Sequence, residues 1–176
     1  MKRTVYLISG PAGAGKSTTS RKIAEILEKS AYIEGDFINH MVVGGHEKPW
    51  LSETHLNLIW LNMLSLTRNY LVNDYDVIID YYVTYSDKTN YMLEALKDFN
   101  IDIKFIVLLV DKDELLRRDS QRPVEDQMGE RCIIGLNEII ASNPPERHIM
   151  NTTQTDIEQV VDDILRNPKY LLNPLS

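Results

Sequence analysis

Gly10-Pro11-Ala12-Gly13-Ala14-Gly15-Lys16-Ser17-Thr18 is the stretch on which the reading of this chain turns. It fits the pattern G-x-x-x-x-G-K-[ST], a loop built to hold phosphates. Before it runs Thr4-Val5-Tyr6-Leu7-Ile8-Ser9, apolar and β-rich; after it, Arg21-Lys22-Ile23-Ala24-Glu25-Ile26-Leu27 has helical spacing. Glycines allow backbone conformations closed to other residues, so successive N–H groups can turn inward toward phosphate oxygens. The helix that follows presents its positive end to the same anion. Lys16 is placed to reach the β- and γ-phosphates, and the Ser17 hydroxyl to hold Mg²⁺. A glycine-rich turn with an exposed lysine would not need these flanks. The run from Gly10 to Thr18 is therefore expected to form the binding site of a nucleoside triphosphate with Mg²⁺.

Outward from the loop, β-rich runs alternate with helical patterns, with no repeat, low-complexity tract or linker between them. Strands are expected near 4–9, 31–34, 76–80, 103–110 and 147–151, and helices near 16–29, 52–72, 86–98, 112–121, 126–141 and 155–166. Ile103-Lys104-Phe105-Ile106-Val107-Leu108-Leu109-Val110 is nearly continuous in apolar residues, as a central parallel strand covered on both faces should be. Strands separated by helices imply right-handed crossovers. The expected fold is α/β: a doubly wound, five-stranded parallel sheet with helices on both faces, in a single domain over 1–176. Ligands in such sheets bind beyond the carboxyl ends of the strands.

Functional carboxylates stand at those ends. Asp80 closes Val77-Ile78-Ile79-Asp80, and two readings fit it: a carboxylate that helps hold Mg²⁺, or one that ends a strand and caps the next helix. Asp36, in Ile33-Glu34-Gly35-Asp36, is the candidate to orient and deprotonate an acceptor hydroxyl. Gly35 before it would let the backbone approach a substrate, and Asp36 also suits an N-cap of a short helix. Arg118 and Arg122 stand at i and i+4 and are expected to share one helix face, followed by the polar segment Pro123 to Arg131. This suits a lid, about 118–131, that brings arginines onto the transferring phosphoryl group and excludes water. The competing reading is a solvated face in which the arginines pair with Asp119, Glu125 and Asp126.

The remaining features narrow the field. A dinucleotide site is rejected, because the glycines do not follow G-x-G-x-x-G and Lys16 has no place in that fingerprint. His40, His46 and His55 lack the tight spacing of a dedicated metal site, and contact of His40 with an acceptor is the better use for them. Asp111-Lys112-Asp113-Glu114 fits an acidic helix start better than a guanine-reading box. Trp60 falls in an apolar helix stripe with Leu56, Ile59 and Met63 and is expected in the core, whereas Trp50 lies in a loop suited to an acceptor pocket with Tyr81, Tyr82 and Tyr85. Net charge is −7 over 176 residues, which argues against nucleic acid as a partner, although Arg117, Arg118, Arg122 and Arg131 form a local basic cluster. No apolar run is long enough to span a membrane, and the β-rich start is too short for a signal-peptide core. The one cysteine, Cys132, excludes an internal disulfide. A cytoplasmic location and a monomer or homodimer are expected.

In the order of these parts the chain resembles small P-loop kinases of the gluconate kinase, shikimate kinase and chloramphenicol phosphotransferase type. Glu34-Gly35-Asp36-Phe37 resembles the D-G-D-F element of gluconate kinases, Lys48-Pro49-Trp50-Leu51 their K-P-W-L segment, and Arg118 with Arg122 the spacing of their S-R-L-x-x-R lid helix. Glu34 replaces the first aspartate of that element, and His40 falls one position late with no proline after it. Asp80 is closer to nucleoside monophosphate kinases, which end strand three in an aspartate. The resemblance implies a P-loop NTPase fold, ATP use and phosphoryl transfer to a hydroxyl of a small molecule, with an acceptor-binding and catalytic role for Asp36; the leading expectation adds Lys16, Arg118 and Arg122 as catalytic groups and Ser17 with Asp80 at the metal. The alternatives are a nucleoside, nucleotide or antibiotic kinase, and an ATP-dependent switch or binding module.

Overall fold

A computed structural model describes residues 2–172, without the side chains of Asp87 and Asp126. Five strands, β1 (Arg3–Ser9), β2 (Ser30–Glu34), β3 (Asp76–Asp80), β4 (Ile101–Leu109) and β5 (Ile149–Asn151), form one sheet in the order β2-β3-β1-β4-β5. Every pairing is parallel. The helices are α1 (Lys16–Ile26), α2 (Gly35–His40), α3 (Glu53–Val72), α4 (Asp87–Ala95), α5 (Lys112–Ser120), α6 (Glu130–Ala141) and α7 (Ile157–Arg166).

Alternation along the strands splits the core in two. Val5 and Leu7 of β1, Ile79 of β3 and Phe105 of β4 pack with Ile59, Trp60 and Met63 of α3. Tyr6 and Ile8, Ile78 and Ile106 face the other way, onto Ile23 of α1, Leu115 of α5 and Val160 and Ile164 of α7. Apolar side chains on both faces are what make these strands read as unbroken hydrophobic runs.

β1 lies in the middle of the sheet, so the loop that leaves it opens between the ends of β3 and β4. Ile8 is in register with Asp80 of β3, and Glu34 of β2 is in register with the same residue, which brings three strand ends to one edge. The helices start differently. Ser52 caps α3 by accepting the His55 N–H at 3.3 Å, and Asp156 caps α7 by accepting the Glu158 N–H at 2.8 Å. α1 begins at Gly15 with φ +93°, a left-handed conformation that favours glycine, and no side chain caps it. Its first N–H groups are left for another acceptor.

Three expectations shift. α5 ends at Ser120, so Arg122 lies beyond the helix rather than on its face. Pro123 follows it, and the residue before a proline is driven out of the helical region. α6 starts at Glu130, because the N–H groups of Met128 and Gly129 are taken by the Asp119 carboxylate; a single 3₁₀ turn, Val124–Asp126, precedes them. Finally, Asp36 stands in the first turn of α2 and is not its cap, a position held by Glu34.

The tail after α7 returns to the sheet. β5 pairs only with Val107 to Leu109, and beside the earlier part of β4 lie Leu171, bridged to Lys104, and Leu172, whose N–H donates to Ile103 O at 2.8 Å. Tyr170 is fully buried there. The rest of the tail, 173–176, lies outside the described residues. Among the described residues no helix is long and apolar enough to cross a membrane.

Candidate active site

The loop after β1 and the open end of α1 form one wall of a cleft of about 590 Å³. Residues 12–19 line it together with Glu34, Asp36, Arg118, Arg122 and Met128, among others. Lys16 Nζ donates to Pro11 O at 3.1 Å, so the ammonium lies folded over its own loop. Burial pushes Lys16 below the usual lysine range, opposed by the negative charges of Asp80 and Asp36. A glycine loop leading into the uncapped start of a helix, with a lysine across it, fits a polyphosphate.

Asp80 is buried at the end of β3, 4% exposed. Burial raises its carboxyl above the ordinary range, while Lys16 and the hydroxyls of Ser17 and Tyr32 pull it down. The Tyr32 hydroxyl donates to Asp80 at 3.0 Å and stands 3.2 Å from Glu34, which also accepts from Arg21 at 3.1 Å. A buried carboxylate beside the loop hydroxyl of Ser17 is a donor set of hard oxygens that suits Mg²⁺, which usually takes one or two protein ligands plus phosphate and water.

Asp36 is exposed at the start of α2. It lines the phosphate cleft and also a second cavity, of about 260 Å³, whose walls include Trp50, Trp60, Tyr81 and Tyr82. Ala12, Lys16, Asp36 and Met128 border both spaces. Gly35 serves a purpose other than the expected one. A Cβ there would stand 2.3 Å from Tyr81 Cδ2, so the missing side chain makes room for the Tyr81 ring and not for a substrate. Trp60 is both buried, at 1% exposure, and a wall of this cavity.

The arginines divide. Arg118 donates to Glu114 at 2.8 Å and to Thr152 O at 3.0 Å; its pairing with Asp119, one of the surface alternatives, does not occur. Glu114 is held at about 2 by its hydrogen bonds from Arg117 and Arg118. Arg122 approaches Asp119 at 3.5 Å. Both Arg118 and Arg122 border the cleft beside Lys16. Arg131 is drawn instead toward the second cavity, donating to Glu138 at 3.0 and 3.1 Å.

Several contributors lay outside the sequence reading. Asp119, read there only as a surface partner for arginines, is 3% exposed and accepts from the N–H groups of Met128, at 3.1 Å, and Gly129, at 2.8 Å. Lys88, Glu138 and Thr152 also line the site. Their distance along the chain from every motif left no signal; for Asp119 the hint was an acid among arginines just before a Met-Gly turn. His40 lines neither cavity: its ring meets His46 at 5.6 Å, and His46 meets His55 at 5.2 Å.

Comparison with known proteins follows the same lines. Residues 5–132 match the AAA domain family AAA_33. An adenylate kinase of Petrotoga mobilis is 26% identical over 162 residues, spanning 89% of this chain and 73% of that protein. The tunicamycin resistance protein of Deinococcus radiodurans superposes with a TM-score of 0.63 at 19% identity, over 93% of this chain and 94% of that one. A gluconokinase from Sinorhizobium meliloti 1021 does so with a TM-score of 0.63 at 15% identity, over 93% and 91%. At these identities the structural likeness is one of fold.

Proposed function

The chain belongs to the AAA domain family, and on that footing we propose that it is an ATP-dependent phosphotransferase that moves the γ-phosphoryl group to a hydroxyl of a small molecule. One observation carries the proposal: a phosphate-binding cleft and a separate aromatic-walled cavity meet at Lys16 and Asp36. This arrangement supports a two-substrate enzyme over a switch or binding module, which would need only the first cavity.

Each residue then has a task. Asp36 takes the proton of the acceptor hydroxyl as its oxygen bonds to the γ-phosphorus and the bond to the β–γ bridging oxygen breaks. Lys16 neutralises the charge that develops on the phosphates, and Arg118 and Arg122 do so from the lid side. Ser17 and Asp80 would hold Mg²⁺, which when bound supplies charge neutralisation and orients the triphosphate. Met128 and the segment tied to Asp119 exclude water from the junction of the two cavities.

The test is ADP release from Mg-ATP, with and without pools of sugar acids, shikimate, nucleosides, and aminocyclic or phenolic antibiotics. A rise with one pool, cut about 10²- to 10⁴-fold by Asp36→Asn with ATP binding intact, is the expected result. Firm ATP binding with slow hydrolysis that no pool alters would favour the switch.

A further inference from the structure

The second cavity bears on what the acceptor is. Both tryptophans of the chain line it, together with Tyr81 and Tyr82. Trp60 meets Tyr81 edge-on at 6.1 Å. Trp50 stands with Arg131 5.4 Å and Lys48 5.6 Å from its ring. The polar groups of this wall largely satisfy one another: the Tyr82 hydroxyl donates to Glu138 at 2.6 Å, and Arg131 donates to both oxygens of the same carboxylate. Lys88 differs. It reaches Asn57 at a long 3.4 Å, lies 5.9 Å from the Trp60 ring, and has no carboxylate partner among the described side chains.

We infer that the acceptor is a hydroxylated molecule with a flat unsaturated ring, which rests in this cavity with an electron-rich edge, carbonyl or carboxylate, toward Lys88 and its hydroxyl toward Asp36 and Lys16. The inference rests on the kinase reading above and deepens it. An open-chain polyol acid would surrender hydrogen bonds to water along its whole length and, beyond Lys88, Lys16 and Asp36, meet a wall of aromatic rings and of polar groups paired with one another. A ring loses little on leaving water and gains face and edge contacts with the aromatic side chains. The volume, about 260 Å³, sets the size at one ring with its substituents or a nucleoside.

Both tryptophans report from this cavity, so intrinsic fluorescence reads binding directly and independently of turnover. The protein, with a non-hydrolysable ATP analogue present, is titrated with adenosine, uridine and phenyl β-glucoside, and with ribose, methyl β-glucoside and gluconate, which lack a flat unsaturated ring. At least one probe with a flat unsaturated ring is expected to bind tenfold or more tightly than every probe without one. Trp50→Ala should weaken that binding at least tenfold and Trp50→Phe restore most of it; Trp50 is half exposed, so neither change threatens the fold. Gluconate or another probe without a flat ring binding as tightly, or no flat-ring probe binding below millimolar concentration, overturns the inference. Gluconate-driven ADP release would sink the ring and keep the kinase; ring binding with no phosphorylated product would sink the kinase.

Discussion

The Asp119 carboxylate accepts the backbone N–H of Gly129 at 2.8 Å, closing a ten-residue stretch of chain onto the end of α5. Met128 N–H, at 3.1 Å, and the Cys132 thiol complete the ring of donors. Burial raises the Cys132 thiol, helped by Asp119, to about 11. The stretch so fastened carries Arg122 and Met128 into the cleft.

Asp119→Ala should cost about 1–3 kcal/mol in urea unfolding and raise KM for ATP, with Asp119→Asn intermediate. Burial alone would raise the Asp119 carboxyl, but the N–H groups of Met128 and Gly129 with Cys132 and Arg122 bring it below its ordinary value. A depressed folded value means the stabilisation is present above about pH 4 and fades as pH falls through the folded value. The stability difference between wild type and Asp119→Asn should therefore shrink on acidification. An unchanged KM would remove the lid from the role given to it.

Lys16→Met should weaken ATP binding and lower turnover about 10²- to 10³-fold, whereas Asp36→Asn should lower turnover and leave ATP affinity alone. Calorimetry with ATP separates the two. Equal losses of ATP affinity in both variants would contradict the division of labour between the cavities.

Asp80→Asn should stabilise the metal-free protein while abolishing Mg²⁺-dependent turnover. Burial holds the Asp80 carboxyl above its ordinary value. Between the unfolded value and the raised folded one, the folded state keeps a proton that the unfolded state has lost. Stability therefore falls as pH rises through that window and stays lower beyond it. Removing the charge should raise Tm at pH 7 by a few degrees in Mg²⁺-free buffer. A lower Tm would mean that Lys16 more than compensates the burial.

Gly35→Ala should destabilise the protein by about 1–3 kcal/mol, because the new Cβ and the Tyr81 ring cannot both keep their places. Gly35→Ala with Tyr81→Ala should recover part of the loss, and a double-mutant cycle reads the coupling.

Much of this architecture was legible in the chain because local chemistry and fold agree. The glycine loop needs a strand before it and a helix after it, and the apolar run at 103–110 needs cover on both faces. What was hidden depends on contacts across the chain. Trp60 reads as core from its stripe and is core, yet it also forms part of the cavity wall. Gly35 signals close approach without saying whether ligand or protein does the approaching, and Tyr81 is the answer. The pattern at 126–129 is compatible with helix until the Asp119 carboxylate claims its N–H groups. Lys88, Arg131 and Glu138 come together only once α4 and α6 flank the same opening.

The return of the tail to β4 reaches beyond the active site to solubility. β5 is three residues long and leaves the Ile101 end of the nine-residue β4 without a strand on that side; Leu171 and Leu172 cover part of it. An uncovered apolar strand of this kind is a template for pairing with other chains. Residues 167–172 cover part of that edge, and a chain shortened before Tyr170 should leave it open to pairing with other chains, read as concentration-dependent association in solution.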